Sequence, residues 1–247
     1  MNRILVFIYG MISYLFGLGA LIYFFGFMGN LSFLPKTIDS GPAGLFTTSL
    51  VINISLIALF GIQHTIMARM NFKKALVRFI PAASERSTFV FMTGVVLSLI
   101  MWQWRPMPSI LWNVENSTAQ LAITVIFWGG WALVVLSSFL INHFELFGLQ
   151  QIWFNLRKKS IPSISFKEPF LYTIVRHPIM LGILIGIWFT PLMSTGHLVF
   201  SLAMTCYILF GVRMEERDLI LNLGEQYINY KAKVPGLIPF IGGNKKS

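Results

Sequence analysis

The stretch HPIMLGILIGIWFTPLMSTGHLVFSLAMTCYILFGV, residues 177–212, decides the fold of this chain. It is 36 residues long and contains no Asp, Glu, Lys or Arg. A single helix of that length would extend about 54 Å, well beyond the roughly 30 Å hydrocarbon core of a bilayer. Pro191 and the turn at 194–196 divide the stretch, so the sequence predicts a hairpin of two short apolar helices, residues 178–193 and 197–212.

Four further apolar runs precede this hairpin, and each approaches the length that a membrane crossing needs. They occupy residues 4–28, 45–68, 88–104 and 119–141. The chain is 55% hydrophobic and only 11% charged, whereas soluble domains carry roughly 25% charged residues. These features predict an all-α integral membrane protein with about five to six transmembrane helices. Trp102 and Trp104 end the third run as an interfacial pair would.

The basic residues fall mainly on one side of the predicted helices. If six helices cross the membrane, 17 of the 19 Lys and Arg lie on one side and only Lys36 and Arg105 on the other. The positive-inside rule then places both termini in the cytoplasm, with the protein in a bacterial-type cell (inner) membrane. The net charge of +10 therefore indicates topology and contact with anionic membrane lipid rather than a nucleic-acid partner.

We expect one domain over residues 1–247, with four helices in residues 1–141 and a loop, hairpin and tail in residues 142–247. The loop is rich in amide, hydroxyl and aromatic residues, which suits a flat polar ligand and equally suits a surface connector. The tail has helical character over residues 218–233, before Pro235 and Pro239 stop it. The single cysteine, Cys206, excludes an internal disulfide, and its position predicts a small buried residue.

Polar side chains collect at one end of the predicted helices, a costly location that often marks function. His64 and Arg69 end the second helix, and His143 and Glu145 follow the fourth. Arg176 and His177 begin the fifth helix, and Arg213, Glu215 and Glu216 end the sixth. Snorkelling at the membrane boundary accounts for the arginines at 69 and 213. It does not account for Glu215 and Glu216, because adjacent carboxylates repel each other and indicate a nearby cation or a hydroxyl-rich ligand.

The C-terminal third carries several motifs in a fixed order. It reads YTIVRHP at residues 172–178 and continues with Gly182, Glu215-Glu216, Gly224, Tyr227, Tyr230 and Val234-Pro235. This order resembles the isoprenylcysteine carboxyl methyltransferase superfamily, whose members are membrane enzymes that use S-adenosylmethionine. Upstream, QHTIMAR at 63–69, ERST at 85–88, WQWRP at 102–106 and NHFELFGL at 142–149 resemble the bacterial methanethiol S-methyltransferases.

The resemblance implies methyl transfer from S-adenosylmethionine to methanethiol, giving dimethyl sulfide, without a metal or an obligate protein partner. It implies a cofactor site on the cytoplasmic side made by Gln151, Tyr172, Arg176, His177, Pro178, Gly182, Glu215 and Glu216. Glu216 is expected to contact the ribose or amino group with little role in the fold. Met180 replaces the Tyr that is usual in the superfamily. Arg213 lies one residue from the position of the arginine that holds a prenylcysteine carboxylate, which disfavours a prenylated substrate.

Methanethiol reacts as a thiolate, and alkyl thiols keep their proton up to about pH 8.5 or higher. A base or a cationic pocket would therefore assist the reaction, and His64, His143 and Arg69 are the candidates. Each histidine is equally compatible with an ordinary boundary residue. Cys206 has no cationic neighbour in sequence, so we expect transfer without a covalent enzyme intermediate.

Two other functions stay open on the sequence alone. The first is a membrane methyltransferase that acts on another thiol, a prenylcysteine carboxylate or a lipid amine. The second is a non-enzymatic membrane transporter or assembly factor. The sequence shows no internal repeat and no charged residue in the middle of a helix, and both are frequent in transporters. Binding of the methyl donor separates an enzyme from a transporter.

Overall fold

The computed structural model describes residues 2–160 and 168–239, which are helical apart from two short strands. The elements follow in the order α1 Arg3–Met28, α2 Phe46–Ala68, α3 Met70–Leu76, a 3-10 turn Ala82–Ser84, α4 Glu85–Gln103, β1 Ile110–Asn113, α5 Ser117–Ile141, α6 His143–Leu146, α7 Leu149–Leu156, a 3-10 turn Phe170–Thr173, α8 Pro178–Trp188, β2 Leu192–Ser194, α9 Thr195–Leu223 and α10 Glu225–Lys233.

Five helical segments within the described residues are long and apolar enough to cross a bilayer. They are Arg3–Met28, Phe46–Ala68, Ala82–Gln103, Ser117–Ile141 and Thr195–Leu223. The predicted all-α integral membrane fold is therefore confirmed, with a count at the lower end of the expected range. Helix α8 has 11 residues and extends only about 16 Å, so it cannot cross the hydrocarbon core alone.

The chain divides into two compact units, which we describe separately. The first contains Met1–Leu111, Asn142–Ser165 and Ser194–Phe200. The second contains Trp112–Ile141, Phe166–Met193 and Ser201–Ser247.

In the first unit, α1 packs closely against α4 where small residues remove side-chain bulk. A Cβ on Gly17 would lie 2.6 Å from Val90, and a Cβ on Gly94 would lie 3.2 Å from the Gly17 Cα atom. Such close approach is typical of membrane helices, which pack through van der Waals contact rather than hydrophobic exclusion from water. Buried Asn53 of α2 holds the backbone of Arg105 through two hydrogen bonds of 2.7 and 2.9 Å.

In the second unit, α5 and α8 cross through glycines. A Cβ on Gly130 would lie 2.7 Å from the Gly186 nitrogen and 2.8 Å from the Gly182 oxygen. Gly182 and Gly186 are four residues apart and therefore face the same way on α8. Their lack of side chains lets α8 dock on α5, and Gly186 also accommodates the Trp131 ring.

The last apolar stretch is divided as predicted, but the two helices have different bounds. Helix α8 ends at Trp188, and α9 continues eleven residues beyond 212 to Leu223. The two helices pack as a hairpin in the second unit, where Trp188 Nε1 donates to Thr205 Oγ1 at 2.9 Å and Ser201 Oγ donates to the Ile187 oxygen at 2.7 Å. In the chain, the short β2 lies between α8 and α9, and it pairs with β1.

The helical tail is also confirmed, with a break that the sequence analysis did not place. Gly224 separates α9 from α10 and has φ +57°, a conformation that costs glycine little and other residues more. Helix α10 ends at Lys233, before Pro235, as expected.

Two smaller predictions were wrong. Cys206 is exposed on α9 rather than buried, because it lies on a helix face that the described residues leave uncovered. Trp102 is 70% exposed, as an interfacial residue should be, but Trp104 is completely buried with its ring centroid 5.7 Å from that of Phe200.

Candidate functional site

A group of charged side chains in the second unit surrounds the buried carboxylate of Glu216. Arg176 donates to its Oε1 atom from Nε at 2.8 Å and from Nη2 at 2.6 Å. His177 Nε2 lies 3.2 Å from the same oxygen, and Lys231 Nζ lies 2.7 Å from Oε2. A carboxylate taken out of water needs such partners. We call these four residues the Glu216 cluster.

The Glu216 cluster also ties the chain after α10 to the start of α8. The backbone nitrogen of Arg176 donates to the Pro235 oxygen at 2.9 Å, and that of His177 donates to the Gly236 oxygen at 3.1 Å. Arg176 Nη1 donates to the oxygens of Lys231 and Val234. The Arg-His-Pro and Val-Pro motifs therefore form one hydrogen-bonded structure.

Three tyrosines line the interior beside the Glu216 cluster. The Tyr230 hydroxyl donates to the backbone carbonyl oxygen of Tyr172 at 2.5 Å, and the ring centroids of Tyr227 and Tyr230 are 5.8 Å apart. Burial, together with the charge of Glu215, raises the pKa of Tyr172 to about 12. Burial and the charge of Glu216 raise the pKa of Tyr227 to about 12, and burial raises the pKa of Tyr230 further. All three remain neutral hydroxyls at physiological pH.

Glu215 differs from its neighbour in exposure and in partners. Its side chain is 52% exposed, and its Oε2 atom lies 3.5 Å from His177 Nδ1. Glu216, in contrast, is 9% exposed and binds cations through both oxygens. Glu215 is therefore the more exposed of the two carboxylates.

Pro178 and Gly182 have structural explanations in this region. Pro178 occupies the first turn of α8, where its missing N–H costs nothing. A Cβ on Gly182 would lie 2.7 Å from the Gly130 oxygen, so the packing of α8 on α5 already requires glycine there.

His64 lies in the first unit within an aromatic environment. Its ring stacks on Phe60 at a centroid distance of 5.3 Å and lies 4.8 Å from Phe89. Nδ1 is 3.3 Å from Thr93 Oγ1. The Arg86 guanidinium also lies over the Phe89 ring, 4.9 Å from its centroid, and makes a cation–π contact with it.

His143 lies in a second aromatic environment of the same unit. Its Nε2 atom is 3.1 Å from the Tyr14 hydroxyl, and its ring is 4.6 Å from that of Phe147. Burial lowers the pKa of His143, so its ring is neutral at physiological pH. Phe147 in turn packs against the core that contains Phe89. We call His64, Phe60, Phe89, Arg86, His143, Tyr14 and Phe147 the histidine–aromatic region.

The structure thus brings together Tyr172, Arg176, His177, Glu215 and Glu216 in one unit, and His64 and His143 in the other. Arg69 lies at the junction of α2 and α3. Gln151 belongs to the first unit, where its Nε2 atom donates to the backbone carbonyl oxygen of Glu145 at 3.2 Å. Ser163, Ser165 and Phe166 of the predicted ligand loop lie outside the described residues.

Sequence reasoning missed two residues. Lys231 completes the Glu216 cluster from a tail position that carries no motif, and only its helical spacing after Tyr227 could have indicated it. Arg86 was quoted within ERST without a role, although an arginine at the start of an apolar run is a functional candidate. Its Nε atom donates to the Leu146 oxygen at 2.7 Å. Within the described residues, no group of His, Cys, Asp and Glu could hold a metal ion.

The fold is that of a helical integral membrane protein. Its two polar regions contain charged and aromatic groups of the kind that bind small molecules in enzymes. Comparison with known proteins narrows that class. The chain is 45% identical to the methanethiol S-methyltransferase of Mycobacterium tuberculosis over 240 residues, covering 97% of this chain and 98% of the relative. It is 42% identical to the methanethiol S-methyltransferase of Crocosphaera subtropica over its entire length, covering 96% of that protein. The chain therefore belongs to the methanethiol S-methyltransferase family, as the motifs predicted.

A more distant similarity extends to nurim from Bos taurus, with 27% identity over 179 residues, 69% of this chain and 68% of that protein. No family model matches the chain. No solved structure matches it either.

Proposed function

We propose that this protein transfers a methyl group from S-adenosylmethionine to methanethiol and forms dimethyl sulfide. The observation that carries the proposal is the identity of 45% over nearly the full length of a relative named for this reaction. The two polar regions support it, because one offers carboxylate and hydroxyl groups suited to a cationic, hydroxyl-rich donor. The other offers an arginine and two histidines suited to a thiol.

The residues of the second unit fit S-adenosylmethionine by their chemistry. When bound, this molecule supplies an electrophilic methyl group on a sulfonium. Glu215 is the half-exposed carboxylate and would accept hydrogen bonds from the donor's ammonium or ribose hydroxyls. His177 and Tyr172 would contact its polar edges. Glu216 is held by three partners within the protein, so we assign it to positioning these residues.

The histidine–aromatic region of the first unit fits the acceptor. Phe rings and the thioethers of nearby Met67 and Met92 suit a small, polarisable thiol. A cation beside a thiol lowers its pKa, and Arg86 forms no ion pair with any residue that the structure describes. His64 or His143 would accept the thiol proton as a neutral ring. Arg69 and Gln151 remain further candidates for acceptor and donor contacts, respectively.

The proposed location is a bacterial-type inner membrane, with both termini and the donor site in the cytoplasm. This orientation requires α8, together with the residues that follow it, to act as a sixth crossing beside the five long helices. With six crossings, 17 basic residues lie on one side and two on the other, which supports the orientation. We also propose that residues 1–247 act as one catalytic domain without an obligate protein partner. Reporter fusions after Lys246 and beside Lys36 would report opposite sides of the membrane.

Calorimetry on the detergent-purified protein tests the donor site. Glu215→Gln should weaken S-adenosylmethionine binding by about 1.5–3 kcal/mol, the typical value of a hydrogen bond to a charged group. Glu225→Gln, an exposed carboxylate in the first turn of α10, should leave the affinity unchanged. An unchanged affinity in Glu215→Gln would remove Glu215 from the donor site. No binding by the wild type would favour a non-enzymatic protein.

The rate against methanethiol concentration tests the acceptor site. Arg86→Gln should lower kcat/KM for the thiol, because the thiolate would lose its cation. Arg78→Gln, which removes an exposed arginine after α3, should have no effect. Equal rates in both variants would exclude Arg86.

A further inference from the structure

Helix α9 continues past Val212, where its uncharged apolar run ends, into about three further turns that begin with Arg213. Arg213 and Arg217 are exposed and lie four residues apart, so they share one face of the helix and repel each other. Neither arginine forms a hydrogen bond or ion pair with another residue in ranges 2–160 and 168–239. Their guanidinium N–H groups are therefore available to an anionic ligand.

These arginines line an open cleft of about 250 Å³ between α9 and α10. The cleft is lined by Arg213, Glu216, Arg217, Ile220, Leu221 and Lys231. The charge of its only carboxylate is already balanced by Arg176 at 2.6 Å and Lys231 at 2.7 Å. The cleft is therefore positive at one end and aliphatic at the other.

The cleft is separate from the proposed donor site. Successive residues of an α-helix are rotated by about 100°, so Glu215, two residues from each arginine, lies about 160° around the axis from both. Glu215 is thus on a different side of α9 from Arg213 and Arg217, whereas His177 contacts both Glu215 and the cleft residue Glu216. The two sites meet at Glu216, which pairs with Lys231 at 2.7 Å.

We propose that this cleft binds the phosphodiester headgroup of an anionic membrane lipid. Guanidinium groups match the geometry of phosphate oxygens through paired N–H donors. The cleft begins where the apolar run of a membrane-crossing helix ends, which is the depth of lipid headgroups. Leu221 is 75% exposed and Ile220 is half-buried, and both offer apolar contact to the glycerol and upper acyl chain. A soluble phosphate would use the arginines but not this aliphatic end.

The test is lipid retention by the full-length protein, which needs no methyltransferase activity. The protein is exchanged into detergent containing phosphatidylcholine or phosphatidylglycerol, and bound lipid is counted by native mass spectrometry. We expect phosphatidylglycerol to be retained by the wild type and about tenfold less by Arg213→Gln/Arg217→Gln. The matched control is Lys74→Gln/Arg78→Gln, which removes two exposed cations four residues apart elsewhere in the chain.

Each outcome decides the matter. Equal retention by the wild type and the arginine double variant overturns the site, and equal loss in the control shows non-specific charge attraction. Thermal stabilisation by inorganic phosphate equal to that by phosphatidylglycerol assigns the cleft to a soluble anion instead. Leu221→Glu provides a second probe at an exposed position, and it should also lose phosphatidylglycerol because it places a negative charge beside the phosphate.

Discussion

In the second unit, the Glu216 carboxylate is surrounded by two cations and a histidine, all within 3.2 Å. In the first unit, the Arg86 guanidinium lies over a Phe ring 4.9 Å away and hydrogen-bonds a backbone oxygen. The first arrangement balances its charge through direct ion pairs. Arg86 instead lies over a neutral ring, and the charges of Glu85 and Glu145 act on it without a direct ion pair among the described residues. This contrast suggests different roles for the two regions. The Glu216 cluster stabilises the structure around the site of a cationic donor. The histidine–aromatic region offers a positive charge to an anionic acceptor.

The largest effect should come from breaking the Glu216 cluster. Glu216→Gln leaves Arg176 and Lys231 without their carboxylate, and loss of one partner from a buried pair typically costs about 3–5 kcal/mol. Thermal unfolding in detergent should therefore show a large decrease in stability. From the sequence alone, the same substitution is expected to have little effect on the fold. Glu225→Gln, which removes an exposed carboxylate, is the control of equal charge change. A stable Glu216→Gln protein would refute the structural role of the cluster.

The next prediction separates packing from ligand contact on α8. Gly130→Ala places a methyl group 2.7 Å from the Gly186 nitrogen and should destabilise the protein by about 1–3 kcal/mol through overpacking. Gly129→Ala, at the adjacent position, meets nothing within 4 Å and should change stability by less than about 1 kcal/mol. Equal losses of stability in the two variants would show that close packing does not explain Gly182 and Gly186, which face Gly130. Gly182 would then again be a candidate ligand contact.

A smaller effect should appear in the pH dependence of stability. Burial lowers the pKa of folded His143 below the unfolded value of about 6.5. The unfolded chain therefore binds more protons just below that pH, so this contribution to stability is present above about pH 6.5 and declines as the pH falls. His143→Gln should flatten the acid side of the curve of unfolding temperature against pH. An identical slope in the variant would show that His143 titrates normally.

The same substitution sharpens the assignment of the base. If His143 accepts the thiol proton, the wild-type rate should already be near its plateau at neutral pH, and His143→Gln should shift the rise towards the pKa of the thiol. His64→Gln provides the parallel comparison. If a variant keeps the wild-type dependence of rate on pH, the substituted histidine is not the base.

The last prediction concerns Cys206, whose substitution should not change the reaction rate. Cys206 is exposed on α9, and direct transfer does not require it. Cys206→Ser should therefore keep the wild-type rate, which initial-rate measurements on the purified protein would show. An inactive but folded variant would indicate a methylated-cysteine intermediate and contradict direct transfer.

Local sequence patterns predicted those features that depend on neighbouring residues. The length of the apolar runs indicated the membrane helices, and Pro191 indicated the division of the last run. The Arg-His-Pro and Glu-Glu motifs indicated most of the second polar region. Long-range packing decided the rest: Trp104 is buried by Phe200, almost a hundred positions away, and Lys231 joins Glu216 only after the chain reverses at Gly224.

The different roles of Glu215 and Glu216 could not be read from the sequence either. The two residues are chemically identical and adjacent. Rotation by 100° along α9 leaves Glu215 half-exposed and turns Glu216 towards Arg176 and Lys231.

The most direct test of the central claim is to trace the methyl group. Purified protein is supplied with methanethiol and with S-adenosylmethionine labelled with deuterium on the transferred methyl, and the headspace is analysed by mass spectrometry. We expect dimethyl sulfide in which one methyl carries the label, with much less formed by Glu215→Gln than by Glu225→Gln. Donor binding without any labelled dimethyl sulfide would contradict methanethiol as the acceptor.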